Sequence, residues 1–310
     1  MHATIVPSPV LLLVVLPRPV LASDIAGGAI LAIGFVALFL CGEWGRARGY
    51  DKLILFGPIF YAAPIAAFGA EHLTLTREIS SIVPAWIPWH MFWAYFVGIC
   101  LIAAALSLVT GIQTRLAASL LALMFFLFVA LMDAPGWFHQ PTNRFATALL
   151  LRELAFAAGP LAFAATLRSW NQRATRILAV TSRCILAVAI LYYAVEQFLH
   201  PDHVPGIPLE LVTPTWIWGH LFWTWLTAAV YGVAGTLLLI GWRPRAAAAC
   251  LGLVLLLGIL AVYLPMGIVE RASLEKGVNY PFDTLMFCGT VLMLTAAMPR
   301  ASAMRLRAEQ

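Results

Sequence analysis

Pro84–Trp93 reads PAWIPWHMFW, and Pro214–Trp223 reads PTWIWGHLFW. Aligned without gaps, Pro84 falls on Pro214, Trp86 on Trp216, Ile87 on Ile217, His90 on His220, Phe92 on Phe222 and Trp93 on Trp223. The register continues to Gly111 and Gly241, Arg115 and Arg245, and Pro135 and Pro265. One unbroken offset over about fifty residues is the signature of an internal duplication.

Outward from this pair the chain is almost entirely apolar. Of 310 residues, 62% are hydrophobic and 11% are charged, and the mean hydropathy is +0.91. Folding in water cannot hide that much apolar surface, so lipid is the expected solvent and the bilayer the first partner. A net charge of +5 could suit nucleic acid. Lysine is nearly absent, however, and the arginines sit in short gaps between apolar runs. That is the positive-inside pattern of an inner (plasma) membrane protein, and nucleic-acid binding is not expected.

The expected fold is all-α, a polytopic bundle of about nine transmembrane helices. Residues 1–22 admit two readings. The run Val10–Val15 and the site-like Val20-Leu21-Ala22 suggest a cleaved leader, whereas Pro17-Arg18-Pro19 and the lack of an early basic residue suggest an interfacial segment. Residues 23–52 hold a lead span, Ile25–Cys41, and a basic loop with Arg46, Arg48 and Lys52. Two four-helix repeats follow, 53–166 and 177–298, separated by a basic loop with Arg168, Arg173 and Arg176; a cytoplasmic tail occupies 299–310. Outer loops are expected at Asp133–Arg144 and Pro265–Tyr280. With an even number of spans per repeat, both copies face the same way. A pseudo-two-fold along the membrane normal is then the expected relation between them.

Polar groups are distributed unevenly. His72, His90, His139, His200, His203 and His220 all fall at outer helix ends or in outer loops, as do Glu71, Asp133, Arg152, Glu153, Glu196 and Asp283 in the outer halves of spans. Charge inside a bilayer is costly, so such groups pair, line a cavity or carry function. Arg152-Glu153 is the sharpest feature, because the second copy has Cys288 and Gly289 there. As helix neighbours they point to different faces, and different partners are expected; Asp133, Glu71 and Glu196 are candidates for Arg152. A structural clamp and a proton- or substrate-handling site are both open. Glu71, His72, Arg152, Glu153, Glu196 and His200 form the candidate proton-handling set, with Tyr192 one turn before Glu196.

His90 and His220 begin equivalent helices. Two imidazoles across an axis can ligate haem or a metal, or bond a quinone headgroup. They fit equally into an interfacial belt with Trp86, Trp89, Trp93, Trp216, Trp218 and Trp223. His200-Pro201-Asp202-His203 lacks the spacing of a closed metal site, so no metal is assigned. Cys41, Cys100, Cys184, Cys250 and Cys288 form no C-x-x-C pair, which argues against thiol–disulfide chemistry. No nucleotide loop or nucleophile elbow is present.

AAFGAEHL (Ala66–Leu73), YYAVEQFLHPD (Tyr192–Asp202), Pro-Gly-Ile-Pro (Pro205–Pro208), the two PxWIxxHxFW helix starts and the G-x-x-x-R turns (Gly111–Arg115, Gly241–Arg245) together resemble the DoxX-like membrane protein family. The resemblance covers roughly 53–166 and 177–298. It implies four-helix membrane bundles and an association with quinone-linked sulfur oxidation or with oxidative-stress redox complexes. A membrane or extracytoplasmic redox partner would follow. It carries over no catalytic residues. Three functions stand at this level: a redox subunit, a scaffold without chemistry, and a small-solute transporter.

Overall fold

The computed structural model describes residues 16–167, 170–207 and 209–299. The run Val10–Val15, Arg168, Pro208 and the tail with Arg300, Arg305, Arg307 and Glu309 lie outside the described residues. Among the described residues the fold is all-helical without strands, and nine helices are long and apolar enough to cross a membrane. These are α1 (Arg18–Leu40), α2 (Asp51–Thr74), α3 (His90–Thr110), α4 (Thr114–His139), α5 (Arg144–Thr166), α6 (Gln172–Leu199), α7 (His220–Ile240), α8 (Pro244–Val269) and α9 (Leu274–Ala297). This is the architecture of a multi-pass membrane protein.

Helices α5 and α9 pack against each other at the centre. Helix α2 lies on α9 and α6 on α5; α3 and α7 lie outside α2 and α6, α4 lies on α5 and α8 on α9, and α1 covers α2 and α3. Small residues permit this closeness, as expected where lipid gives helices no hydrophobic drive to associate. A Cβ on Gly289 of α9 would lie 2.5 Å from the Tyr61 backbone nitrogen of α2, and one on Gly159 of α5 would lie 2.5 Å from the Tyr61 ring. Tyr61 also resolves a defect in α5. Pro160 has no N–H to give the Phe156 carbonyl one turn back, and the buried Tyr61 hydroxyl donates to that carbonyl at 2.8 Å.

The duplicated stretches fold alike in detail. Ile87 N–H donates to Pro84 O at 2.9 Å and Ile217 N–H to Pro214 O at 3.0 Å. Trp89 and Gly219 take left-handed φ of 59° and 66°, Gly111 and Gly241 of 77° and 73°, and Gln113 and Arg243 of 54° and 46°. Phe92–Trp93 and Phe222–Trp223 are edge-to-face at 5.3 and 5.4 Å.

Three boundaries differ from the sequence expectation. Helix α1 begins at Arg18 rather than Ile25: Pro17 is its N-cap and Pro19 sits in its first turn, where the missing N–H has no helical partner to lose. Val20-Leu21-Ala22 therefore lies in the opening turns of α1, with Val20 fully buried. Asp133–Arg144 is not all loop. A π-turn at Val129–Asp133 passes directly into Ala134–His139, and in the second copy Ile259–Tyr263 passes into Leu264–Val269. Each Pro falls just after the wide turn, where the ordinary donor pattern is already broken. Helix α9 likewise begins at Leu274, ahead of Pro281, through the π-turn Leu274–Asn279.

Candidate functional site

Arg152 sits in the half of α5 nearer its start, level with Asp283 in α9. Its guanidinium donates to Asp283 Oδ2 at 2.9 Å and to Glu153 Oε1 at 2.9 Å. The expectation of separate partners for Arg152 and Glu153 is thus corrected. Between two packed helices the long arginine side chain turns along its own helix and reaches its neighbour. Asp283 is the hydrogen-bonded partner on another helix; Asp133 and Glu71 lie within electrostatic reach of Arg152, and Glu196 does not join it. Phe156, one turn further along α5, lies under the guanidinium at 5.7 Å.

Two more carboxyls approach the same centre. Glu71, near the end of α2, is only 9% exposed, and its Oε1 is buried without a hydrogen-bond partner. It lies within electrostatic reach of Asp283 and Arg152. Asp133, in the π-turn of α4, has a buried Oδ2 without a partner and lies within reach of Glu153 and Arg152. Four helices thus bring four carboxyl groups around one guanidinium. Arg152 and Glu153 keep 21% and 15% of their side-chain surface open, so the centre is not sealed.

Glu196 belongs to a different cluster. It pairs with Arg144, the first residue of α5, at 3.1 Å. Arg144 also donates to Leu209 O at 2.6 Å and to His203 Nε2 at 3.2 Å, and its own carbonyl accepts from Tyr192 at 3.1 Å. Tyr192 and Glu196 do converge, through Arg144. His200 caps α6 and meets the His203 ring edge-on at 5.4 Å. His72 is turned back on α2, its Nδ1 bonded to Phe68 O at 2.8 Å.

His90 and His220 open α3 and α7. In its main contacts α3 packs on α1, α2 and α4, and α7 on α6 and α8. Among the described residues no group of three His, Cys, Asp or Glu side chains is placed to hold a metal, and the five cysteines are free thiols.

Arg144 escaped the sequence reading because a charge at a helix start reads as a solvated end. Asp283 was visible as an acid within a span; nothing in the sequence joined it to Arg152.

No family model, no curated protein and no solved structure matches this chain. Fold and site together define a multi-pass helical membrane protein with a charge centre buried among its helices.

Proposed function

We propose that this chain is a tandem DoxX-like membrane subunit of a quinone-linked redox system, with a proton-handling centre at Arg152. The observation that carries this reading is the imbalance of that centre. Arg152 meets Asp283 and Glu153 at 2.9 Å, while Glu71 Oε1 and Asp133 Oδ2 lie nearby, buried and unpartnered. One guanidinium cannot neutralise four carboxylates away from water, and shared protons restore the balance. Quinone chemistry consumes and releases protons, and bound quinone would supply the electron step. Arg152 and Glu153, partly open, are the residues that would meet its headgroup; Glu71, Asp133 and Asp283 hold and pass the proton. Between α5 and α6 an apolar groove of about 290 Å³, lined by Leu151, Leu154, Cys184, Ile185 and Val188, would suit an isoprenoid tail.

Two further parts belong to the reading. The repeats are related by a pseudo-two-fold through the α5–α9 contact. Its support is the packing pattern, in which α5 on α6 answers α9 on α2. The loops with Arg46, Arg48, Arg115, Arg173, Arg176, Arg243 and Arg245 face the cytoplasm of a plasma membrane, together with the C-terminus, by the positive-inside rule. The charge centre then lies toward the extracytoplasmic side, where a redox partner would dock.

The test is quinone extraction from detergent-purified protein, with visible spectra of oxidised and reduced samples. Stoichiometric quinone, lost in Arg152→Ala and retained in His90→Ala, is expected, without a haem band. A folded sample free of quinone overturns the reading. A reduced haem band abolished by His90→Ala and His220→Ala would move the site to those histidines.

A further inference from the structure

Residues 200–219 join α6 to α7 and do not behave as an exposed loop. Val204, Ile207, Leu209, Leu211 and Ile217 are buried. Val204 N–H donates to Leu211 O at 3.0 Å and Thr213 N–H to Asp202 O at 2.8 Å, so the strap folds back on itself. Its tip enters the bundle. Gln197 donates to Gly206 O at 3.2 Å, Tyr263 donates to Pro205 O, and Leu211 N–H donates to the Tyr280 hydroxyl at 3.1 Å. At Gly206 (φ +111°) a Cβ would lie 3.5 Å from the Tyr263 hydroxyl and 3.8 Å from Thr284, the neighbour of Asp283. The tip of the strap therefore packs on α9 at Thr284, next in sequence to Asp283.

Arg144 holds the strap. It donates to Leu209 O at 2.6 Å and to His203 Nε2 at 3.2 Å, while Glu196 anchors it at 3.1 Å. A guanidinium has no acceptor. His203 Nε2 must then accept, and the ring is neutral with its proton on Nδ1. The charged and titratable groups facing His203 are Arg144 from α5, His200 and, through Arg144, Glu196 from α6, and Asp202 within the strap. From α7 the neighbour is Thr224, whose hydroxyl donates to the His203 carbonyl.

We propose that His203 is a proton-operated latch, which holds the strap in the bundle when neutral and frees it when protonated. A proton on Nε2 would point at the Arg144 guanidinium, abolish the acceptor and set two cations together. Burial first, then the charges of Arg144 and His200, hold the His203 pKa below its ordinary value. The sign follows: the latched form binds fewer protons than the released form. Its stabilisation is complete above the free-histidine value of about 6.5 and is lost as pH falls below it. The effect of release on proton traffic rests on the proposed function; the latch itself does not.

Amide hydrogen exchange of the full chain in detergent, at about pH 5 and about pH 7.5 with intrinsic rates corrected, tests it. Val204, Leu211 and Thr213 amides should exchange faster at the lower pH, with the amides of α5 and α9 unchanged. In His203→Gln, whose carboxamide accepts from Arg144 but does not titrate, the strap should be slow at both pH values. In His203→Ala it should be fast at both. Strap exchange independent of pH in the unaltered chain, or a pH response that survives His203→Gln, overturns the latch. A working latch on a chain without quinone leaves the latch standing and removes the proposed function.

Discussion

Arg152 joins Asp283 of α9 and Glu153 of its own helix, each at 2.9 Å. Its replacement leaves two or more carboxyls without a cation in a largely buried site. Breaking one partner of such a buried pair costs about 3–5 kcal/mol. Arg152→Ala should lose that much in thermal or denaturant unfolding in detergent. Asp283→Asn should lose clearly less, because Glu153 still compensates the guanidinium. Equal losses in the two variants would mean that Glu153 contributes nothing. The sequence marks Arg152 and two of its neighbours, Glu71 and Asp133, but not its pairing with Asp283. Position along one helix says which face a side chain leaves from, whereas the other half of this pair lies on a helix far along the chain.

Helix α5 keeps a proline in its interior because another helix completes its hydrogen bonding. Tyr61→Phe removes the 2.8 Å bond to Phe156 O and should cost about 1–3 kcal/mol, the penalty of an unpaired buried carbonyl. In a Pro160→Ala background, where the substituted residue regains an N–H that can close the helical bond, the same change should cost much less. A double-mutant cycle in detergent measures the difference; additivity would refute the pairing. The repeated turns offer a second comparison. Gly111 and Gly241 share a left-handed φ, yet a Cβ on Gly111 meets nothing, whereas one on Gly241 lies 2.3 Å from the Arg183 guanidinium. Gly111→Ala should lose about 1–2 kcal/mol from backbone conformation. Gly241→Ala should lose more unless the flexible Arg183 moves aside. The matching turns were legible in the sequence; the difference between them was not, since Arg183 arrives from α6. The continuation of α4 and α8 past their prolines was also hidden, because a π-turn leaves no composition of its own.

For the whole molecule, orientation and topology are the testable quantities. In a cysteine-free background, Ile82→Cys lies on the exposed segment between α2 and α3 and Ile112→Cys on the exposed turn between α3 and α4. An impermeant maleimide added to intact cells should label the first and spare the second until the membrane is opened. The reverse pattern would invert the proposed orientation and place the charge centre near the cytoplasm. The apolar helices among the described residues needed no tertiary information, because each span must be apolar along its full length to sit in lipid.

The sequence by itself determined the all-helical membrane class and the pairing of Pro84–Trp93 with Pro214–Trp223. These follow from local quantities: hydropathy over some twenty residues, and identities at a constant offset. Only the tertiary structure decided that Arg152 meets Asp283, that Glu196 belongs to Arg144 rather than to Arg152, and that Val204, Gly206 and Leu211 fold into the bundle. The physical reason is distance along the chain. Such contacts are fixed by which helices lie side by side and how closely glycines such as Gly159 and Gly289 let them approach. That geometry is a property of all nine helices together and is written in no single segment.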